Sequence, residues 1–283
     1  MTAALGTDVV RCERPETGAV ADTFLLWLAG SPSRAVCKFG GANVWSGDVI
    51  EPEIVTQIRS TTPLPVPQVL ASGSMPRRNG PSRWALYEFL PGDQPTPEML
   101  DTELLWQVGK NLGELHAAFS YNRCGEFIKE RGDLVIRPPM RRNLVASPLA
   151  ASVGLSASTP VLDHGDYQPS NLLVDEGKLT AVLDWGNAHI TDAGYALTRA
   201  EIRFIDLPSL PNPRTDACRR AFRDGYISGA GCLPPDYHNR FNRYRLLWMA
   251  QSVLNVTAIA TSSRGRLQLR RQCRRWFRRR TEA

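Results

Sequence analysis

Residues 161–174 read VLDHGDYQPSNLLV, a run in which His164, Asp166 and Asn171 lie between apolar flanks. An unpaired carboxylate buried among apolar residues is costly, so the polar centre needs a chemical reason. A further carboxylate, Asp184, follows two short apolar runs, LLV and LTAVLD, which flank DEGK. Apolar runs around a glycine-containing turn predict a hairpin. That hairpin would return Asp184 to the edge that carries Asp166 and Asn171. Phosphoryl transfer asks for this combination. One carboxylate sits beside an acceptor hydroxyl to take its proton, while an amide oxygen and a second carboxylate hold Mg²⁺ against nucleotide phosphates. Hard oxygen ligands are what Mg²⁺ prefers.

The elements that must position these groups can be read along the chain. VVRCERP, ADTFLLWLAG and RAVCKFGG read as three strands, with Lys38 near the end of the third. A helix follows, opened by Pro52, whose missing N–H costs nothing in a first turn. Ile54, Val55 and Ile58 share one of its faces with Glu51, whereas Glu53 falls on the far side. Prolines 63, 65 and 67 end it. QVLASG and RWALYEFL read as two more strands. Beyond LPGDQPTP the period becomes helical, beginning with DTELLWQVGKNLGELHAAF. Residues 127–160 are polar and weakly periodic, and predict no definite element. Helical patterns resume at 191–205, 214–229 and 237–258. No internal repeat occurs.

HGDYQPSN matches the HGDxxxxN signature of the aminoglycoside phosphotransferase and choline kinase-like family of small-molecule kinases. TAVLDWGNAHITDAGYAL resembles that family's metal-binding aspartate segment, Lys38 in AVCKFG its nucleotide lysine, and Glu51 the helix glutamate that pairs with the lysine. WALYEFLPGD resembles the hinge between lobes. The resemblance runs over roughly residues 8 to 258. It implies an α+β, protein kinase-like two-lobe fold: an N-terminal antiparallel sheet with one helix, and a mainly helical C-terminal lobe. The expected domains are 1–88, binding nucleotide, and 89–283, carrying catalysis and the acceptor.

The same resemblance implies roles by matched position. Asp166 would be the catalytic base, and Asn171 and Asp184 the Mg²⁺ ligands. Lys38 would contact phosphate, with Glu51 as its ion-pair partner. The backbone at Glu88–Leu90 would contact adenine, and His164 would brace the catalytic loop. The implied cofactors are ATP and Mg²⁺, and the implied partner is a small molecule bearing a hydroxyl. Two positions depart from the family pattern. Asp163 stands where an apolar residue is usual, and Ala196 where a second aspartate is frequent. The loop ETGAVAD at 16–22 has one glycine and is a weak phosphate-covering signal. Gly165 in place of arginine, Gln168 in place of lysine, and only about five residues between Gly186 and the next helix favour a small-molecule acceptor over a peptide.

Other readings of these residues stand beside this one. Asp166 and Asn171 could cap a turn, Lys38 could be a strand-edge lysine, and Glu51 could simply complement a helix dipole. A catalytically silent nucleotide-binding regulator of the same fold is the alternative function. His116 reads as a core histidine, and Trp185 as either pocket lining or packing. Acidic candidates for a polycation site are Asp192, Glu201, Asp206 and Asp236. Aromatic candidates for an ammonium site are Tyr226, Tyr237, Tyr244 and Trp248.

Bulk properties set the frame. The chain has 283 residues, 42% of them apolar, which suffices for a real core. The net charge of +6 is misleading, because nine of the 34 basic side chains fall within residues 264–283, leaving the remainder slightly acidic. That Arg-rich tail reads as a docked last helix or as a contact for anionic surfaces. Six cysteines without a CxxC pair, no secretory leader and no long apolar run predict a cytoplasmic protein with free thiols and no transmembrane segment.

Overall fold

The computed structural model describes residues 6–15, 22–39, 50–76, 82–131, 133–138, 144–156, 159–208 and 214–261. The Arg-rich tail, Cys273 and residues 16–21 of the weak phosphate-loop candidate lie outside the described residues.

Five N-terminal strands form one antiparallel sheet: β1 (Val9–Glu13), β2 (Asp22–Leu28), β3 (Arg34–Phe39), β4 (Val69–Met75) and β5 (Ser82–Glu88), in the order β1-β2-β3-β5-β4. Period-2 alternation in β3 sends Ala35, Cys37 and Phe39 into a small apolar cluster with Leu26, Leu28 and Leu86. The same alternation turns Lys38 to the opposite face. There it meets α1 (Glu51–Thr61), whose residues Ile54, Val55 and Ile58 are fully buried. These α1 residues belong to the larger apolar cluster, together with Leu104, Leu105 and Leu112 from the helical part. One core therefore runs continuously beneath the sheet.

The C-terminal part is built on α2 (Thr102–Ala118), the short α3 (Pro148–Ser152), α4 (Ala193–Glu201), α5 (Arg214–Ala230) and α6 (Tyr237–Thr261). Asp101 caps α2, its carboxylate accepting the Leu104 N–H at 2.9 Å. Helices α2 and α5 pack closely through glycines. A Cβ on Gly109 would come to 2.0 Å from the Phe222 carbonyl oxygen, and one on Gly225 to 2.0 Å from that of Trp106.

Two small β features complete the part. A second sheet pairs β6 (Gly125–Glu130), β7 (Asp133–Arg137), β8 (Pro160–Asp163) and β11 (His189–Asp192) in the order β7-β6-β11-β8, and β9 (Leu172–Asp175) with β10 (Lys178–Val182) forms the expected hairpin. The β6–β7 hairpin starts at Gly125 and lies mostly within 127–160, where the sequence predicts no definite element. Strand β11 occupies the start of the helical pattern expected from 191. Its cap, Asp192, accepts the N–H groups of Gly194 and Tyr195, so α4 starts only at Ala193. Among the described residues no helix is long and apolar enough to cross a membrane.

Candidate active site

The loop between β8 and β9 is shaped by one residue. Gly165 has φ +80°, and a Cβ there would lie 1.9 Å from the Asn187 carbonyl oxygen. Only glycine fits both the conformation and the contact. Beside it, fully buried His164 ties the loop to the far strand of the hairpin. Its Nε2 pairs with the Leu183 carbonyl oxygen at 2.8 Å, and its Nδ1 accepts the Asp166 N–H at 3.2 Å. One proton, on Nε2, satisfies both bonds, and burial pushes the imidazole pKa down toward this neutral form. Trp185 packs against His164 with ring centroids 4.4 Å apart and planes tilted by 43°, and it is buried, so it packs and does not line a pocket.

Asp166 and Asn171 stand on opposite ends of a short turn. The Asn171 amide donates to the Asp166 carbonyl at 2.8 Å and to its carboxylate Oδ2 at 3.1 Å. The Asn171 side-chain carbonyl accepts from no described residue. Gln168 donates to the same Asp166 oxygen at 2.9 Å. Across the hairpin, Asp184 adopts the left-handed conformation, φ 65° and ψ 61°, a costly state for a non-glycine residue that clusters at functional sites. Its Oδ1 lies 3.3 Å from Lys38 Nζ.

Lys38 joins the two halves. Its ammonium donates to both Glu51 oxygens, at 2.8 and 3.0 Å. Glu51 is 3% exposed and also accepts the Trp185 N–H at 3.2 Å. Sheet, α1 and the Asp184 segment thus converge on one carboxylate. A cleft of about 330 Å³ opens on the α1 side of this pair, lined by Glu53, Ser72, Ser74, Trp84, Tyr87 and Lys129. The segment joining the halves is fixed below Leu90, where Asp93 and Val174 exchange backbone hydrogen bonds at 3.0 and 2.9 Å. The Glu88 N–H is already given to the Gln68 carbonyl at 2.8 Å, whereas Leu90 forms no hydrogen bond with any described residue. Of the two, the Leu90 backbone is the freer for a ligand.

Each residue the sequence singles out therefore has a place. Lys38 contacts both Glu51 and Asp184, Asp166 and Asn171 form a second contact group, and His164 links the loop of one to the segment leading to the other. Ion pairs at the site without a sequence signal include two that involve charged neighbours of the candidate residues. Arg203 donates to Asp166 Oδ1, and Lys129 of β6 bridges to Glu53 of α1. Both partners lie far apart in the chain.

A model of the phosphotransferase enzyme family, APH, matches residues 11–239. The chain belongs to this family. Solved structures agree on the fold. Macrolide 2'-phosphotransferase MphH from Brachybacterium faecium, as apoenzyme, is 17% identical with a TM-score of 0.55, over 94% of each chain. A thermostable mutant of aminoglycoside phosphotransferase APH(4)-Ia, in ternary complex with ADP and hygromycin B, is 18% identical with a TM-score of 0.56, over 95% of this chain and 96% of that one. The gentamicin complex of APH(2")-IIa gives 15% and 0.56, over 96% and 90%. A search of curated proteins found no match. The fold is thus the kinase-like one of the phosphotransferase family, with its antiparallel sheet and helical C-terminal part.

Proposed function

We propose that this member of the family transfers the γ-phosphoryl group of ATP to a hydroxyl of a small molecule, with residues 1–88 holding the nucleotide and 89–283 the acceptor. The supporting observation is the convergence of Lys38, Glu51 and Asp184 on one side of the β9–β10 hairpin with Asp166 and Asn171 on the other. The acceptor oxygen forms its bond to the γ phosphorus as the bond to the ADP oxygen breaks, and that electron pair leaves on ADP. The hydroxyl proton passes to the Asp166 carboxylate. Lys38 supplies a positive charge where phosphate charge gathers, and Glu51 aims it. His164 fixes the loop that carries Asp166. The free Asn171 carbonyl and the half-exposed Asp184 carboxylate are the hard donors that suit Mg²⁺, so these two residues would hold the ion. When bound, Mg²⁺ neutralises charge on the transferring phosphoryl group. Described cysteines that form no disulfide with one another are consistent with the cytoplasmic setting proposed here.

The test is ATP consumption with Mg²⁺ over aminoglycosides, choline-like amines, hydroxy acids and sugars, using the wild type and Asp166→Ala. Acceptor-dependent turnover in the wild type is expected to fall by roughly 10²–10⁴ in the variant while nucleotide binding persists. Unchanged turnover in Asp166→Ala would remove the assigned base.

A further inference from the structure

The Asp166 carboxylate is held from outside its own loop by an arginine. Helix α4 runs directly into a π-helix, Ile202–Asp206. Such π segments are rare and recur at functional sites. This one carries Arg203, whose Nη1 donates to Asp166 Oδ1. The Nε and Nη2 donors of Arg203 form no hydrogen bond with any described residue. A guanidinium is a rigid fork suited to bidentate capture of carboxylate or phosphate, and here half of that fork is unused.

The acidic side chains around this arginine are already neutralised. Glu201 is fully buried and takes Arg219 at 2.6 Å, Arg223 at 2.7 Å and the Tyr237 hydroxyl at 2.8 Å. Asp206 takes Arg219 at 2.5 Å and Arg245 at 3.3 Å. Asp163 pairs with Arg199 beneath the loop. Asp192 caps α4 and accepts the Tyr244 hydroxyl at 2.8 Å. Among the described residues, five arginines thus pair with Asp163, Asp166, Glu201 and Asp206, and of the four acidic candidates Asp236 alone is exposed, accepting the Asn239 side-chain amide. Of the aromatic candidates, Tyr226, Tyr237 and Tyr244 are buried in the core and Trp248 is partly buried against it.

We propose that Arg203 is the acceptor-specificity residue, and that the acceptor carries an anionic group, carboxylate or phosphate, near the hydroxyl that is phosphorylated. The inference rests on the phosphotransferase reading of the same site. The anion draws the guanidinium away from Asp166 and frees the carboxylate that must accept the proton. A neutral or cationic acceptor leaves the Asp166 carboxylate paired with Arg203. Recognition of the anion and release of the carboxylate are therefore one event.

The test measures binding to the full chain loaded with the non-hydrolysable nucleotide AMP-PNP and Mg²⁺. The probes share a scaffold: glycerate (carboxylate), glycerol phosphate (phosphate) and glycerol (neutral), with kanamycin as the polycation. At least one anionic probe is expected to bind ~10-fold or more tightly than glycerol, a difference of one factor of ten in the equilibrium constant. Which anion binds better distinguishes a carboxylate acceptor from a phosphate one. Arg203→Gln should abolish the preference and Arg203→Lys should keep part of it, with AMP-PNP affinity unchanged in both as the check on folding. An equal or tighter affinity for kanamycin, a preference that survives Arg203→Gln, or no binding of either anion would each overturn the proposal. Failure of AMP-PNP to bind the wild type would instead sink the kinase reading itself.

Discussion

Two aspartate–arginine pairs lie close together in this fold, and they differ in burial. Asp163 and Arg199 are 1% and 8% exposed and sit at the base of the loop between β8 and β9, with His189 3.7 Å from the same carboxylate. Asp166 and Arg203 follow three and four residues later in their segments and face the open side, their side chains 26% and 19% exposed. The buried pair gives up water on both sides, so each partner depends on the other. The outer pair keeps solvent within reach and can exchange partners at small cost. Burial separates a fixed pair from one that can exchange partners, as the proposed role of Arg203 requires, although the chemical groups are identical.

That contrast can be broken from either side. The largest effect expected is on turnover. Asp166→Ala should lower it by roughly 10²–10⁴ while moving stability by no more than about 1 kcal/mol, as for other partly exposed pairs. Steady-state kinetics and urea unfolding of one preparation check both halves. Asp163→Ala should do the reverse. It strands the Arg199 cation, already disfavoured by burial and by the neighbouring Arg203 charge, and should cost about 3–5 kcal/mol in unfolding free energy. A urea midpoint equal to that of the wild type would place Asp163 outside the supporting structure.

Acid sharpens the comparison further. His116 in α2 is buried against the Tyr226 hydroxyl at 2.9 Å, and burial lowers its pKa to about 3. His164 is lowered for the same reason. A histidine held neutral in the folded state binds its proton more readily when unfolded. Its stabilisation is complete above its unfolded pKa of about 6.5 and is lost as pH falls below that value. Replacing His116 with Gln should therefore flatten the acid limb of the stability curve by one proton, about 1.4 kcal/mol per pH unit. An unchanged slope between pH 6 and 4 would contradict this. The smallest effect belongs to Arg203→Gln, for which unfolding should shift by about 0–1 kcal/mol. A loss as large as that of Asp163→Ala would make the outer pair structural as well.

Much of the fold was legible because its signals are local. The alternation in β3, the proline-opened α1 and the glycine turn between β9 and β10 each sit within a few residues of the element they shape. The β6–β7 hairpin was not legible. Its strands are short, its turn passes through Arg131 at φ 51°, and its outer end is fixed by the bridge from Lys129 to Glu53, 76 residues upstream. Strand β11 was hidden for a similar reason. HITD has no apolar alternation of its own, and it is a strand because β6 and β8 lie on either side of it.

The candidate site divides along the same line. The spacing of His164, Asp166 and Asn171, with Asp184 beyond the hairpin, was enough to point to the phosphotransferase family and to the site proposed here, because a single loop and a single turn bring those groups together. Asp163 stood out as a departure, but its partner did not. The arginines that reach Asp163 and Asp166 arrive from α4 and the π-helix after it, 36 and 37 residues on. Their aim is set by how those elements pack on the core, and no periodicity in the chain encodes it. The sequence by itself determined which reactive groups share an edge. Only the tertiary structure decided which of their charges are already spent, because long-range ion pairing depends on helix placement and burial, not on the spacing of residues along the chain.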